Sequence, residues 1–491
     1  MRAFQALKNG PRPVYDAVVI GAGIGGLICA NLLARARLSV LLVEQHYMVG
    51  GFCSTFRRKG FTFDAATHFY PLLGNPMTIT GSLLERLGSR TRWVTMDPVD
   101  HFHFPDGSHF SVSADFDEYL DELKATFPHE QEAIDSFFAL VREAYLYGLL
   151  YYFRGRYHER LEPLRSLSVH EVLQRHFHDP KLRLLLSADC AHWGSPPSRT
   201  SFVFDSMLRL SYFLGNYYPE GGSQVFADDL ARAFQEQGGE ILMSSSVERI
   251  VVEHGAAVGV EIDTGLRSHR RRASVRASHV VSNADLVATF ETMLGSQVVG
   301  DEAIAAVKRL RPTLPCFLTH IGLRDVPLDA LTGATGYHWR SWDADRVRDD
   351  AYKIFVPTMY EPKMAPPGGQ IIILQHLDAD YDTVTDWAAH KAEVEADLLG
   401  RLELALPGIR DHFVTCQSAS ALTSWRFTLN YKGAMLGWEM SPEQLANGRP
   451  AVAGPVTNLY MTGHWTRPGG GITPVIVSAM DAARAITGSS D

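Results

Sequence analysis

The chain has 491 residues, of which 46% are hydrophobic and 21% are charged, and its formal net charge is −9. This length allows two or three domains around a large core. The negative charge disfavours nucleic acid as a partner. No apolar run approaches the roughly 18 residues that a membrane-spanning helix needs, so any contact with a membrane is expected to be peripheral.

The five cysteines are scattered and contain no C-x-x-C pair. This pattern is typical of free thiols in a reducing compartment. Residues 1–13 also lack the apolar core of a signal peptide. We therefore expect a cytoplasmic protein.

A short apolar run over residues 17–20 leads directly into a glycine-rich loop. Its valines and isoleucine predict a buried parallel strand. Gly21, Gly23 and Gly26 follow with G-x-G-x-x-G spacing, which allows a tight turn, close approach to a pyrophosphate and helix–strand packing. Residues 27–34 predict a helix whose N-terminal amides would face the phosphates.

The second predicted strand supports the same interpretation. Residues 38–43 are apolar and end at Glu44, about 20 residues after the loop, where an acid usually accepts ribose hydroxyls. Strand, loop, helix, strand and acid in this order predict a dinucleotide-binding unit. Arg37 stands where a helix-ending glycine is expected, which affects capping rather than the choice of cofactor.

A second glycine-rich block lies near the other end of the chain. Residues 458–463 run into it, and residues 467–472 contain three consecutive glycines. Two such loops at opposite ends indicate a cofactor long enough to need both, which points to FAD. Thr473 is expected to cap a helix over 475–486, with Pro474 in its first turn.

The sequence that follows the second strand resembles a known flavoprotein superfamily. An E-x(5)-G-G step over 44–51 precedes a G-F-x-F-D segment over 60–64 and then His68. These motifs resemble the FAD-binding amine-oxidase-like superfamily and, within it, the phytoene desaturase, carotenoid isomerase and retinol saturase group. Segments 218–222 and 281–285 extend the resemblance over most of the chain.

The C-terminal block departs from the H-P-G-G-G-I-P-G signature of this group. Arg467 replaces a histidine, and Thr473 and Pro474 replace proline and glycine. His464 and Trp465 stand where related enzymes carry small or acidic residues. These departures bear on the identity of the substrate more than on FAD binding.

The motifs and the resemblance together imply the residues that hold FAD, with the backbone at Val247 contacting adenine. They are Gly21, Gly23, Gly25, Gly26, Glu44, Gln45, Gly50, Gly51, Val247, Gly463, Gly470, Gly471, Ile472 and Thr473. Four residues are the catalytic candidates: His68, Tyr70, His464 and Arg467. His68 and Tyr70 would transfer protons or contact a polyene, although a structural histidine is an equally good interpretation. Arg467 and the helix N-terminus would stabilise negative charge on reduced flavin.

These elements predict an α/β fold with two parts. A discontinuous, Rossmann-like FAD-binding domain is expected over 1–80, 215–300 and 410–491. An inserted α+β substrate-binding domain, partly helical and enclosing an apolar cavity, is expected over 81–214 and 301–409.

The inserted segments predict one sheet and a helical region. Residues 101–112 predict a β-hairpin, and strands near 317–321, 354–356 and 371–374 would pair with it to roof the flavin. Residues 115–210 are expected to be helical. The hairpin contains an H-x-H pair without a nearby third ligand, so we predict no metal site.

Three features have two interpretations each. The aromatic run 145–153 either packs in a core or forms the wall of an apolar tunnel or a membrane-facing lip. Trp425, Tyr431 and Trp438 either line the cavity or pack in the core. The arginines within 267–272 form a solvated hairpin tip or contact anionic lipid.

The expected function is that of an FAD-dependent oxidoreductase acting on C–C or C=C bonds of a long, apolar, polyene or isoprenoid-like molecule. Desaturation, saturation and cis–trans isomerisation all fit. Two alternatives stay open, a non-catalytic escort of lipid or prenyl groups like the Rab GDP-dissociation inhibitors, and a flavin monooxygenase. A separate NAD(P)H domain is not expected, because the second half lacks another G-x-G-x-x-G.

Overall fold

The computed structural model describes residues 4–8, 10–264 and 271–488. Its β-strands are β1 Val14–Ile20, β2 Val40–Val43, β3 Thr55–Arg58, β4 Phe61–Asp64, β5 Trp93–Thr95, β6 Asp100–His103, β7 His109–Val112, β8 Tyr217–Pro219, β9 Glu240–Leu242, β10 Ser245–Glu253, β11 Ala256–Thr264, β12 Arg271–Ser282, β13 Cys316–Arg324, β14 Gly336–Trp339, β15 Ala351–Phe355, β16 Gly369–Leu377, β17 Phe413–Ala419 and β18 Leu459–Met461.

The α-helices are numbered in the same way. They are α1 Ile24–Arg35, α2 Ile79–Arg86, α3 Phe116–Thr126, α4 Gln131–Gly148, α5 Glu162–Arg165, α6 Val169–His176, α7 Pro180–Ser187, α8 Cys190–Trp193, α9 Phe202–Tyr212, α10 Ser223–Glu236, α11 Leu286–Ala288, α12 Ser296–Val299, α13 Asp301–Lys308, α14 Asp329–Thr332, α15 Val347–Asp350, α16 Trp387–Ala405, α17 Ala421–Thr428 and α18 Ile472–Thr487. Two π-helical segments, Leu149–Phe153 and Thr289–Leu294, continue α4 and α11.

The first sheet has a parallel core in the order β18-β12-β1-β2-β9. An antiparallel meander, β10-β11-β12, extends it on one side. Every residue of β2 is buried, as expected for a strand covered on both faces. Helix α1 connects β1 to the parallel strand β2, which confirms the predicted Rossmann-like α/β domain.

The second sheet has the order β17-β13-β16-β15-β14-β6-β7. The predicted hairpin is present, with His103 opposite His109. Strand β14 joins it in parallel, although about 230 residues separate the two strands. Strand β17 also pairs in this sheet, with β13. Residues 413–419, which the sequence places in the FAD-binding domain, therefore belong to the second sheet, the one predicted to roof the flavin.

A helical layer packs against the hairpin of the second sheet. Its core contains the fully buried rings of Phe137 and Phe202. The aromatic run that follows α4 forms the π-helical segment Leu149–Phe153, whose side chains are partly buried against the same core. They do not line the cavity described below, so they do not form its wall, whereas the membrane-facing lip stays a prediction.

Arg37 has a left-handed backbone with φ of 68°. Its N–H donates to the carbonyl oxygen of Ala34, 2.9 Å away, and the N–H of Leu38 donates to Leu33. An arginine thus occupies the position that glycine usually takes at the end of a helix.

Residues 267–270 of the predicted basic run lie outside the described residues. Within the described ranges, no helix combines the length and the apolar character needed to cross a bilayer.

Candidate active site

A cavity of about 1000 Å³ runs from the edge of the parallel sheet to the underside of the second sheet. Glycines of both predicted loops line it, among them Gly23 and Gly471. The second sheet contributes Leu318 and Gln375, and α8 contributes His192. One continuous space therefore joins the dinucleotide motifs to the inserted part of the chain.

The first glycine loop brings backbone rather than side chains to the cavity. Gly21 has φ of 91°, and a Cβ on it would lie 3.3 Å from the carbonyl oxygen of Asn283. A Cβ on Gly25 would lie 2.5 Å from Asn283 Oδ1. Gly26 does not line the cavity; a Cβ there would lie 2.0 Å from the carbonyl oxygen of Gly21. Gly26 thus permits the close packing of α1 that the third glycine of this motif requires.

Glu44 lies at the end of β2 and faces the same space. Its carboxylate accepts hydrogen bonds of 2.7 Å from the backbone N–H groups of Ala22 and His46. Burial raises the pKa of Glu44, while these two donors oppose the rise. The carboxylate keeps lone pairs for further donors, such as ribose hydroxyls.

The E-x(5)-G-G step folds back onto the first loop. Gly50 forms an isolated bridge with Gly23, and its N–H donates to the carbonyl oxygen of Ala22 at 2.8 Å. Gly50, Gly51 and Gln45 line the cavity, and so does Val247 on β10.

The C-terminal block closes the opposite side of the cavity. Gly463 is held by a 2.9 Å hydrogen bond from its N–H to Ser478 Oγ. Gly471, with φ of 98°, precedes α18, which begins at Ile472. The prediction that Thr473 caps this helix was wrong. Thr473 lies within the first turn, and its hydroxyl donates to the carbonyl oxygen of Pro71 at 3.3 Å.

Gly470 does not line the cavity. A Cβ on Gly470 would lie 2.2 Å from the carbonyl oxygen of Leu436. The residue therefore allows this turn to pack against the preceding loop, and Gly471, Ile472 and Thr473 form the cavity wall instead.

These residues fit FAD. Gly23 presents no side chain to the cavity, and α1 begins beside it with its N-terminus directed at the same space. Glu44 would hold the ribose, Val247 would lie beside the adenine, and the N-terminus of α18 would face the flavin ring.

Two of the four catalytic candidates line the cavity. His68 is 4% exposed, and its Nε2 lies 2.8 Å from Gln375 Oε1. His464 packs edge-on against Trp465, with ring centroids 4.9 Å apart. Burial lowers the pKa of both imidazoles to about 3, so both are neutral at pH 7.

The other two candidates lie outside the cavity wall. Tyr70 is fully buried, and its ring packs against Trp93 and Phe226. Its neighbours His68, Phe69 and Pro71 line the cavity instead. Tyr70 therefore cannot contact a substrate there, because the chain turns its side chain into the core behind the wall.

Arg467 also lies outside the wall, and its Nε donates to the carbonyl oxygen of Arg449 at 3.1 Å. The cation buried behind this motif is Arg449, which the sequence analysis missed. Arg449 is 1% exposed, and its guanidinium donates to the carbonyl oxygens of Trp438 and Glu439. Burial lowers its pKa to about 9, so it stays charged at pH 7.

Arg449 forms no ion pair with any carboxylate of the described residues. Its positive charge contributes to lowering the pKa of His464, which lines the cavity. No motif marks this arginine; the only signal in the sequence is its position before Pro450, shortly upstream of the C-terminal block.

The three aromatic candidates before the C-terminal block divide between the two interpretations. Trp425 and Tyr431 line the cavity. Trp438 is fully buried and packs against Trp465, with centroids 4.7 Å apart.

Both histidines of the H-x-H pair in the hairpin have protein partners. His101 Nδ1 lies 2.8 Å from Ser111 Oγ, and His103 Nε2 lies 2.9 Å from the carbonyl oxygen of Thr335. In the described part of the chain, no cluster of three or more His, Cys, Asp or Glu side chains could hold a metal ion.

Relatives of known name share most of this chain. Prolycopene isomerase of Arabidopsis thaliana is 27% identical over 522 residues, which cover 98% of this chain and 84% of that protein. The lycopene-forming phytoene desaturase of Pseudescherichia vulneris is 28% identical over 493 residues, which cover 95% of this chain and 98% of that protein.

The fold is similar to that of a solved oxidase. Cyclohexylamine oxidase from Brevibacterium oxydans superposes with a TM-score of 0.65 at 20% identity, and the match covers 96% of this chain and 99% of that one. Residues 24–487 match the family described as flavin containing amine oxidoreductase. The chain therefore belongs to this family and is an oxidoreductase that uses FAD.

Proposed function

We propose that the protein catalyses a reaction at C–C or C=C bonds of a long, apolar, polyene or isoprenoid-like molecule. The observation that carries this proposal is the continuity of the FAD site with a cavity wall formed by Phe56, Phe69, Leu318 and Met435. Such a wall suits an apolar chain rather than a charged one. The names of two relatives, a prolycopene isomerase and a phytoene desaturase, support a carotenoid-like substrate.

Bound FAD would supply the acceptor or donor of a hydride. The chain would orient the polyene and exclude water from the reacting carbons. We propose that His68 and His464 contact the cofactor or the substrate as neutral imidazoles. A neutral imidazole can take part in hydrogen bonds, but neither histidine would act as a cation at pH 7, because burial lowers their pKa to about 3.

The deciding experiment is anaerobic incubation of the FAD-loaded protein with candidate polyenes, with the flavin oxidised in one series and reduced in the other. Product mass and chromatographic retention are read together. A loss of hydrogens establishes desaturation, and a gain establishes saturation. A new retention time at unchanged mass, seen only with reduced flavin, establishes isomerisation.

Three other results would reject the proposal. A protein that binds polyenes without forming product under either condition would be an escort. Rapid oxygen consumption with NADPH, stimulated by substrate, would establish a monooxygenase. Hydrogen peroxide formed with primary amines, and no product from polyenes, would establish an amine oxidase.

We further propose that the protein docks on a membrane surface through the rim of the cavity. Large exposed side chains stand there, namely Trp425 (40% exposed), Phe427 (59%) and Leu429 (39%). Aromatic and aliphatic side chains of this kind suit the interface of a bilayer, where a polyene would be dissolved.

Co-sedimentation with vesicles of phosphatidylcholine and phosphatidylglycerol tests this docking. The double variant Trp425→Ser/Phe427→Ser is expected to lose most of the vesicle-bound fraction. Leu404→Ser is the matched control, because Leu404 is 85% exposed on α16 and does not line the cavity. Equal binding by all three proteins would reject the rim as the docking surface.

We also propose that the protein works in the cytoplasm. All five cysteines are free thiols, and all but Cys416 are buried, which suits a reducing compartment. Cell fractionation followed by detection of the protein tests this proposal, and recovery from an oxidising compartment would reject it.

A further inference from the structure

One end of the cavity wall is polar, and none of its residues belongs to the two glycine-rich loops. His68, His192 and Gln375 line the cavity there, and Asp100 and Lys353 lie directly behind them. We call these five residues the polar wall. They come from the segment after β4, from α8, and from three strands of the second sheet.

Gln375 offers a hydrogen-bond donor to the cavity. Its Oε1 lies 2.8 Å from Nε2 of the neutral His68, so this nitrogen carries the proton and donates to the amide oxygen. The Gln375 amide nitrogen has no hydrogen-bond partner among the residues that the structure describes. Gln375 is 8% exposed and lines the cavity, so this N–H₂ group faces the space inside it.

His192 offers a hydrogen-bond acceptor to the cavity. Its Nε2 lies 3.4 Å from Asp100 Oδ2, and the same oxygen lies 2.6 Å from Lys353 Nζ. Burial would raise the pKa of Asp100, but the Lys353 ammonium and His192 outweigh it and hold the pKa at about 2. Burial lowers the pKa of His192 to about 4, so the ring is neutral at pH 7.

The charged carboxylate of Asp100 favours the proton of His192 on Nε2, the nitrogen that faces it. Nδ1 is then left with a lone pair. It has no hydrogen-bond partner in the described ranges, and His192 lines the cavity.

The donor and the acceptor lie in one contiguous cluster. Lys353 and Gln375 are directly opposite each other on β15 and β16. Phe69 follows His68 in the chain, and its ring lies 3.8 Å from Lys353 Nζ and 4.9 Å from the His192 ring centroid. Phe69 therefore connects the two halves of the polar wall.

A hydrocarbon chain seated against this wall would leave both groups without partners, at a cost comparable to that of any buried unpaired polar atom. A hydroxyl group donates one hydrogen bond and accepts others. We infer that the cavity takes an apolar chain that carries a hydroxyl group, which accepts from the Gln375 amide and donates to His192 Nδ1. This inference rests on the proposed function, since it specifies the substrate class of the same cavity.

The test compares two ligands of the FAD-loaded protein, geranylgeraniol and the C20 hydrocarbon of the same skeleton that lacks the hydroxyl group. Dissociation constants are measured from the change in flavin absorbance during titration in detergent. The expected result is binding of the alcohol at least about tenfold tighter than binding of the hydrocarbon, since a site built for a hydroxyl rejects the analogue without it.

Gln375→Leu and His192→Phe are each expected to reduce this ratio to about twofold or less. Gln417→Leu is the matched control, because Gln417 lines the same cavity but is exposed and accepts from Arg58 Nε. This variant is expected to keep the ratio of the unmodified protein. The ratio of two ligands on one protein is independent of the folded fraction, so partial unfolding of a variant does not confuse the result.

Equal affinity for the two ligands in the unmodified protein would overturn the inference. A preference for the alcohol that survives in both Gln375→Leu and His192→Phe would also overturn it. The inference and the proposed function fail in different ways. Tighter binding of the alcohol, with no product formed from any polyene, rejects only the proposed function. Turnover of polyenes, with equal affinity for the alcohol and the hydrocarbon, rejects only the inference.

Discussion

Gly469 and Arg449 are in such close contact that a Cβ atom on Gly469 would lie 2.3 Å from Arg449 Nη1. The glycine block at the end of the chain thus folds over a buried guanidinium that has no carboxylate partner in the described residues. The sequence predicts a cationic role for Arg467, but Arg449 is the buried cation whose charge acts on His464 in the cavity wall, so we expect Arg449 to take that role.

Arg449→Met is expected to lower the reduction potential of bound FAD by about 20–40 mV, because removing a buried positive charge weakens the stabilisation of reduced flavin by about 1–2 kcal/mol. Arg449→Lys keeps the charge and should restore most of the potential. Redox titration with reference dyes measures it. Arg467→Met is the matched control, since the charge of Arg449, and not that of Arg467, contributes to the lowered pKa of His464 in the cavity wall; a shift from Arg467→Met as large as that from Arg449→Met, or larger, would reject the assignment.

Gly23→Val is expected to abolish FAD incorporation, because the side chain would fill the space that the pyrophosphate needs. Even the Cβ of such a side chain would lie only 3.0 Å from Asn283 Nδ2. The ratio of flavin to protein absorbance after reconstitution measures the effect. Gly400→Ala is the control, because Gly400 lies in α16 with no atom within 4 Å of its Cβ position. A Gly23→Val protein that stays fully yellow would contradict the assignment of the loop.

Acid is expected to destabilise the fold through its buried histidines. Folding lowers the pKa of His68 and of His464 to about 3, below the ordinary value of 6.5. Their contribution to the free energy of unfolding is fully present above pH 6.5. It is lost as the pH falls toward 3, because the unfolded chain binds more protons than the folded one in that window. At pH 5 each histidine would remove about 2 kcal/mol of stability.

Denaturant unfolding at pH 7 and pH 5 measures this loss. His464→Gln is expected to reduce the difference between the two pH values by about 2 kcal/mol, whereas the exposed His129→Gln should leave it unchanged. An equal pH dependence in all three proteins would refute the role of the buried imidazoles.

Lys353→Met is expected to destabilise the protein by about 3–5 kcal/mol, because it leaves the Asp100 carboxylate buried without its ammonium partner. The double variant Lys353→Met/Asp100→Leu should recover part of the loss. Lys432→Met, at the more exposed pair with Asp382, is the control and should cost about 1 kcal/mol or less. An equal loss of unfolding free energy in Lys353→Met and Lys432→Met would show that burial does not determine how much each ion pair stabilises the protein.

The first FAD motif could be predicted from sequence because its physics is local. Gly21, Gly23, Gly26 and Glu44 all lie in one β1-α1-β2 unit, where spacing along the chain fixes position in space. Strand-like runs in the inserted segments likewise predicted the hairpin and the strands β13, β15 and β16 of the second sheet, but not β14 and β17. The prediction went wrong at Tyr70 because neither periodicity nor motif spacing determines which way a loop side chain points.

The polar wall could not be predicted because its contacts are long-range. His68 meets Gln375 across 307 positions, and Lys353 meets Asp100 across 253. Gln375 stands in an apolar strand and His192 in a four-residue helix, so neither carries a pattern of its own. Only the register of β15 and β16 and the packing of Phe69 bring these groups together.

Helix α1 packs along α18, and Ile28 and Leu27 share one core with Ile476 and Ala479. During synthesis at about 5–20 residues per second, the roughly 440 residues between these helices take about 20–90 s to emerge. For that time α1 can pack on α10 and on the strands beside it, but it lacks the partner that α18 provides. The part of the cavity wall that Ile472 and Thr473 form is therefore completed only after α18 has emerged.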